Sequence, residues 1–239
     1  MSDFSKITTA ILAGGLGTRL RSVISDRPKV LADVGGRPFL TYLLDQLRAV
    51  GAARVVLCTG YLGEQIQSVL GDRYKEIELI YSQESSSQGT AGALRLALPL
   101  LGSGSVLVMN GDSFCQANLK ALGTVHRIRP AKATLLLVNV LDTSRFGRVE
   151  IEPEGQITGF VEKQKEGGPG WINAGIYLLE PPFLESISSA PNGSLERDVF
   201  PAWIGRGMFG YRSPGRFLDI GTPASYAEAQ DFFAQEKFL

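Results

Sequence analysis

The stretch Leu12-Ala13-Gly14-Gly15-Leu16-Gly17-Thr18-Arg19-Leu20 follows a short apolar run, Ile7 to Ala13, that reads as a first strand. Glycines let the backbone approach a ligand closely and present successive N–H groups, a surface that suits phosphate oxygens. No Gly-Lys-Ser/Thr closes the loop, so it is not a Walker A. Leu20 stands where the third glycine of a G-x-G-x-x-G would be, which argues against a dinucleotide-binding dehydrogenase. Lys29 follows Pro28, ten residues beyond Arg19, across a polar stretch suited to an irregular loop. A cation at each end of a folded-back loop holds a polyphosphate from both sides. The plainer alternative for either is a solvated surface cation.

Positioning such a loop takes strands and helices in alternation, and the first half supplies them. Arg54 to Thr59, Ile77 to Tyr81 and Ser105 to Met109 read as buried strands. Pro38 to Val50, Glu64 to Leu70, Thr90 to Leu98 and Asn118 to Ile128 read as helices, with Pro99 discouraging continuation of the third. Such β-α repeats predict a parallel sheet covered on both faces. In the second half, Ala133 to Val140, Gly147 to Ile151, Ile157 to Glu162 and Ile172 to Leu179 read as strands of an antiparallel or mixed extension. Leu195 to Ile204 and Ser225 to Phe233 read as closing helices. No linker separates the halves, so one domain over 1–239 is expected.

The 239 residues carry 24 Lys plus Arg and 24 Asp plus Glu, which speaks against a nucleic-acid partner. No apolar stretch approaches the ~20 residues of a membrane span, and Met1 to Thr9 has no secretory h-region. Cys58 and Cys115 are too few for a disulfide scaffold and suit a reducing compartment, which points to the cytoplasm. His126 is the only histidine. That nearly excludes multi-histidine metal sites and disfavours Ser-His-Asp chemistry, and His126 itself reads as structural.

Gly14-Gly15-Leu16-Gly17-Thr18-Arg19-Leu20 followed by Pro28-Lys29 resembles the signature of sugar-1-phosphate nucleotidyltransferases. The resemblance continues through Gly89-Thr90-Ala91-Gly92, Asn110-Gly111-Asp112, Phe146-Gly147-Arg148-Val149, Glu162-Lys163, Asn173-Ala174-Gly175 and Asp219-Ile220-Gly221-Thr222-Pro223, nearly the whole chain. Within that family, Arg21 to Lys29 is most similar to heptose 1-phosphate guanylyltransferases. The implied fold is a Rossmann-like, three-layer α/β nucleotidyltransferase fold of glycosyltransferase-A-like type, with a mixed, mostly parallel central sheet. Residues up to about 115 would bind nucleotide and the remainder sugar phosphate. The implied reaction passes GMP from GTP to D-glycero-α-D-manno-heptose 1-phosphate, giving GDP-heptose for a cell-surface polysaccharide. A mannose-1-phosphate guanylyltransferase, a uridylyl- or thymidylyltransferase and a non-catalytic nucleotide-sugar sensor are the alternatives.

The resemblance implies roles residue by residue. Arg19 and Lys29 are the expected catalytic cations. Leu12, Ala13, Gly14, Gly15, Gly17, Thr18, Glu84, Gln88, Gly89 and Thr90 are expected around the nucleotide. Gln88 departs from the pattern, where relatives usually carry Leu. Gly147, Glu162, Lys163 and Asn173 are expected to meet the sugar phosphate. Asp112 closes a strand, where ligands of open α/β sheets sit, and Asp219 ends the run Phe217-Leu218. Two carboxylates from distant parts of the chain suit one Mg²⁺, which prefers a few carboxylates plus phosphate oxygens and water. Helix capping is the plainer alternative for each Asp.

Overall fold

The computed structural model describes Phe4 and residues 7–161, 167–187 and 193–234. β1 (Thr8–Leu12) runs into the glycine loop, and a short pair, β2 (Asp33–Val34) and β3 (Arg37–Pro38), precedes α1 (Leu40–Ala49). β4 (Arg54–Thr59), α2 (Gly63–Leu70), β5 (Arg73–Tyr74), β6 (Ile77–Gln83), α3 (Gly89–Leu101) and β7 (Val106–Asn110) follow. Next come β8 (Ser113–Cys115), α4 (Leu119–Ile128), β9 (Ala133–Val140) and a hairpin of β10 (Arg148–Ile151) with β11 (Ile157–Val161). β12 (Gly170–Leu179), α5 (Pro181–Ile187), β13 (Met208–Ser213), β14 (Phe217–Asp219) and α6 (Pro223–Ala234) complete the order.

Among the described residues, eight strands form one sheet in the order β13-β9-β12-β7-β1-β4-β6-β5. β7, β1, β4 and β6 are parallel. β12 is antiparallel to both β7 and β9, β13 is parallel to β9, and β5 is antiparallel to β6 at the edge. The sheet is therefore mixed and mostly parallel, as expected. Successive residues of each central strand face opposite sides, and both sides are buried. Ile11, Leu57 and Met109 meet Leu43, Leu47 and Phe233 on one face, whereas Ala10, Val56 and Val108 meet Leu94, Ala97 and Phe183 on the other. The carboxyl ends of four parallel strands then open at one rim, where the glycine loop, Gly60, Glu84 and Asp112 follow their strands.

Three local expectations are corrected. Pro38 belongs to β3 and does not open α1, whose Thr41 hydroxyl instead bonds the Pro38 carbonyl at 2.7 Å. α3 continues through Pro99 to Leu101, because buried Leu101 anchors the last turn and Gly102, at φ +74, ends it. Leu195 to Ile204 is not one α-helix. It is a π turn over Leu195–Val199 followed by a 3-10 turn over Phe200–Trp203. Pro201 has no N–H to give the preceding turn, so regular i to i−4 bonding cannot run through it.

Candidate active site

The glycine loop is fixed where it leaves β1. The Ala13 N–H bonds the Cys58 carbonyl at 2.8 Å, and the Gly111 N–H bonds the Leu12 carbonyl at 2.9 Å. Gly17 sits at φ +58, and a Cβ there would stand 3.2 Å from Lys29 Cβ. The turn thus lets the two ends of the loop fold back on each other. Leu12, Ala13, Gly14, Gly15, Gly17, Lys29, Glu84, Gly89, Thr90, Asn110 and Asp112 line a cleft of about 210 Å³. Thr18 is exposed outside it. The Gln88 side chain is turned to Arg95, whose Nη2 donates to it at 3.1 Å.

Glu84 projects from the end of β6 and is only 8% exposed. One carboxylate oxygen accepts from the Gln88 N–H at 3.0 Å. The other lies where a Cβ on Gly60 would stand, 2.7 Å away, and 3.0 Å from one on Gly14. Burial pushes its carboxyl pKa up, and the Gln88 N–H offsets only part of that. Gly89, at φ +73, packs its Cα on the Gly193 carbonyl, leaving no room for a side chain. The Thr90 hydroxyl donates to Glu196 at 3.0 Å and accepts from the Leu195 N–H at 2.8 Å.

A larger cleft of about 450 Å³ adjoins the first and shares Asn110 and Asp112 with it. Arg19, Arg145, Gly147, Arg148, Asn173, Glu196, Arg197 and Asp219 line it, with Phe146, Phe160 and Phe217 as apolar walls. Gly175, at φ +75, falls in the stretch where the register of β12 on β9 shifts. Its N–H bonds Asn173 Oδ1 at 2.9 Å, and Asn173 Nδ2 donates to the Tyr177 hydroxyl at 2.9 Å. That hydroxyl donates in turn to Glu196 at 3.0 Å. Asn173 therefore keeps one N–H and one lone pair for a ligand. Burial, then the Glu196 carboxylate, pushes the Tyr177 phenol well above its ordinary range.

The two acids come together although 107 positions part them in the chain. β14 pairs antiparallel with β8, setting Asp219 opposite Ser113, and the Ile220 N–H bonds the Asp112 carbonyl at 2.9 Å. Lys29 Nζ lies 2.7 Å from Asp112 Oδ2, and Arg145 Nη2 lies 2.7 Å from Asp219 Oδ1. A Cβ on Gly221 would stand 2.5 Å from Asp219 Oδ2, 3.5 Å from Arg19 Nη2 and 3.6 Å from Lys29 Nζ. Arg19, Lys29 and Asp219 thus converge on one point. No group of three or more His, Cys, Asp or Glu suited to a metal occurs among the described residues. Two hard oxygen donors, with phosphate oxygens and water to complete the shell, fit Mg²⁺ and leave softer metals without ligands. Neither acid caps a helix by its side chain; Asp219 accepts from the Gly221 N–H at 2.8 Å in a turn.

Glu162 and Lys163 lie outside the described residues. Sequence reasoning passed over Arg145, Tyr177 and Glu196. Arg145 directly precedes the Phe146-Gly147 motif and was legible as a neighbour of it. Glu196 carried no signal, because its stretch read as an ordinary helix. His126 is structural: its Nδ1 lies 2.7 Å from Thr134 Oγ1 and its Nε2 2.8 Å from Glu180 Oε1.

The sequence model of the family described as "Nucleotidyl transferase" matches residues 8–236. A D-glycero-alpha-D-manno-heptose 1-phosphate guanylyltransferase of Aneurinibacillus thermoaerophilus is 35% identical over 221 residues, covering 92% of this chain and 95% of that protein. A mannose-1-phosphate guanylyltransferase of Mycobacterium tuberculosis is 33% identical over 225 residues, which cover 92% of this chain but 63% of that protein. The crystal structure of HddC from Yersinia pseudotuberculosis superposes with a TM-score of 0.85 at 31% identity, covering 95% of this chain and 99% of HddC. HddC complexed with GMP-PN gives 0.82 at the same identity and coverage. With its motifs in order, its mixed sheet and its two joined clefts, this chain belongs to the nucleotidyl transferase family and is an enzyme of it, as its resemblance to sugar-1-phosphate nucleotidyltransferases implied.

Proposed function

We propose that this chain transfers GMP from GTP to a sugar 1-phosphate, giving GDP-sugar and pyrophosphate, with D-glycero-α-D-manno-heptose 1-phosphate as the sugar. The observation that carries the reading is the meeting of two clefts at Asp112, with Arg19, Lys29 and Asp219 converging beside it. The smaller cleft suits a nucleotide on a glycine-rich backbone. The larger one has room and hydrogen-bonding groups for a sugar. The heptose reading is supported by the 35% identity to a D-glycero-alpha-D-manno-heptose 1-phosphate guanylyltransferase over 221 residues.

A sugar-phosphate oxygen attacks the α-phosphorus in line, and pyrophosphate leaves on the opposite side. The nucleophile is already ionised, so no general base is needed. Catalysis rests on positioning and charge neutralisation. Lys29 and Arg19 bind the triphosphate and stabilise charge as the leaving group departs. Leu12 to Thr18 orient the phosphates through backbone N–H groups. Gly89, Thr90, Gln88 and Glu84 frame the base. Glu84 is suited to guanine, whose N1–H and 2-amino group are adjacent donors to an acceptor-only carboxylate. Asn173 and Gly147 orient the sugar, and by resemblance Glu162 holds a hydroxyl and Lys163 the phosphate. Asp112 and Asp219 would hold Mg²⁺, which when bound supplies Lewis-acid stabilisation of phosphate charge.

Among the described residues no helix is long and apolar enough to cross a membrane. Two buried free thiols fit a reducing compartment, and we assign the reaction to the cytoplasm, with NTP and sugar 1-phosphate as its small-molecule substrates. The GDP-sugar product suits a glycosyl transfer that builds a cell-surface polysaccharide. The test is pyrophosphate release from four NTPs against heptose, mannose and glucose 1-phosphates. GTP with the heptose should give the highest kcat/KM. A preference for UTP or dTTP would overturn the guanylyl assignment and leave nucleotidyl transfer standing.

A further inference from the structure

Each carboxylate assigned to the metal already carries a cation. Lys29 holds Asp112, and Arg145 Nη2 reaches both oxygens of Asp219, at 2.7 and 3.0 Å. Two neighbouring carboxylates repel, and cations at hydrogen-bond distance offset the repulsion. The four charges cancel. A divalent cation can take Asp219 fully only if the cation bonded there finds another anion.

The two cations differ in their freedom to leave. The Lys29 side chain is 11% exposed and packed beneath Gly17. The Arg145 side chain is 41% exposed at the wall of the larger cleft. Its guanidinium lies 5.1 Å from the centre of the Phe146 ring and, among the described residues, has only a 3.3 Å bond to Ser225 Oγ besides Asp219. The backbone beneath it is fixed, with the Thr143 N–H on the Gly168 carbonyl and the Phe146 N–H on the Thr143 carbonyl. The guanidinium can therefore turn on its long stem without moving its loop. A guanidinium fork matches carboxylate and phosphate equally well.

We propose that Arg145 exchanges partners: it bonds Asp219 in the free enzyme and passes to the phosphate of the sugar 1-phosphate when a divalent cation takes Asp219. This rests on the sugar-1-phosphate reading above. Metal and sugar phosphate then bind cooperatively, and the coupling is reciprocal. Removing Arg145 should tighten metal binding in the absence of sugar and abolish the help each ligand gives the other.

The experiment uses the whole chain without GTP, so no turnover occurs. Free Mn²⁺ is followed by electron paramagnetic resonance. D-glycero-α-D-manno-heptose 1-phosphate and mannose 1-phosphate are titrated calorimetrically with and without Mn²⁺. In the parent, Mn²⁺ should raise sugar-phosphate affinity about 5–150-fold, the usual range of such couplings. In Arg145→Ala and in Arg145→Gln, which keeps bulk and loses charge, that factor should fall close to one, and Mn²⁺ alone should bind more tightly. Variants that keep the parental factor, or bind Mn²⁺ more weakly, would overturn the exchange. A parent that binds Mn²⁺ but neither sugar phosphate overturns the substrate reading instead, and the Mn²⁺ affinities of the variants still decide whether Arg145 occupies the metal side of Asp219.

Discussion

Lys29 is held from two sides, by Asp112 and by the close pass of Gly17, so its charge stays where a triphosphate would lie. Lys29→Ala should lower kcat at least tenfold, about 1.4 kcal/mol of barrier, with little change in sugar-phosphate affinity. Steady-state kinetics with each substrate varied will decide it. Asp112→Asn and Asp219→Asn should each nearly abolish turnover while leaving circular dichroism unchanged. Residues acting as one unit are not additive, so the double variant should be scarcely worse than either single one. Full activity in excess EDTA would remove the metal from the mechanism. Glu84 poses a different balance. Its raised pKa means that the protonated form favours folding below the ordinary carboxylate range, and that this advantage is lost as pH rises through the folded value. At neutral pH the buried charge is therefore a liability to the empty protein. Glu84→Gln keeps an acceptor for the Gln88 N–H. It should raise the urea midpoint at pH 7, with a gain that shrinks on acidification, while reducing the preference for GTP over ATP and UTP. A variant no more stable than the parent would show that Glu84 carries no such burden.

At the scale of elements, the turn over Leu195–Trp203 and the start of α3 hold each other. The Gly193 carbonyl accepts from the Ala91 N–H at 2.9 Å, and the Gly193 N–H returns to the Gln88 carbonyl at 3.0 Å. Gly89→Ala would force a side chain into that carbonyl at a positive φ, so it should cost roughly 1–3 kcal/mol in urea unfolding and weaken nucleotide binding. Near-parental stability would show that the turn yields freely. A second tie joins α4 to the end of β12. Burial alone would raise the Glu180 pKa, but bonds from Ser105 and His126 outweigh it and hold the carboxyl below its ordinary value. A depressed carboxylate stabilises the fold above its unfolded pKa and loses that contribution as pH falls through the folded one. Glu180→Gln should therefore lower stability at neutral pH and flatten the acid limb of the stability curve. The alternating elements of the first half were legible because helix and strand periods differ so plainly there. Those of the region 193–204 were not, because Pro201, which has no N–H to give the preceding turn, breaks an otherwise helical pattern that Ser194 caps.

Across the whole molecule, the sheet order carries the site. The glycines alone are a weak motif that a tight turn also explains, and the loop became legible through Arg19, Lys29 and the resemblance that runs on from them. That Asp112 and Asp219 meet was not derivable from spacing. It depends on β14 returning across the fold to pair with β8, a long-range pairing that only the resemblance hinted at. The pairing of Arg145 with Asp219 stayed hidden for a like reason, since 74 positions part them. Cys58 and Cys115 stand directly under this assembly. Cys58 is in register with Leu12 beneath the glycine loop, and Cys115 pairs with Phe217 two residues before the second acid. Both are buried, and burial pushes each thiol up to about 12. A thiolate is the reactive form, so the closed protein presents no nucleophilic sulfur at neutral pH. The rate at which a disulfide reagent modifies these two sulfurs becomes a clock for the transient parting of the strands under the site, and tightly bound nucleotide should slow that clock.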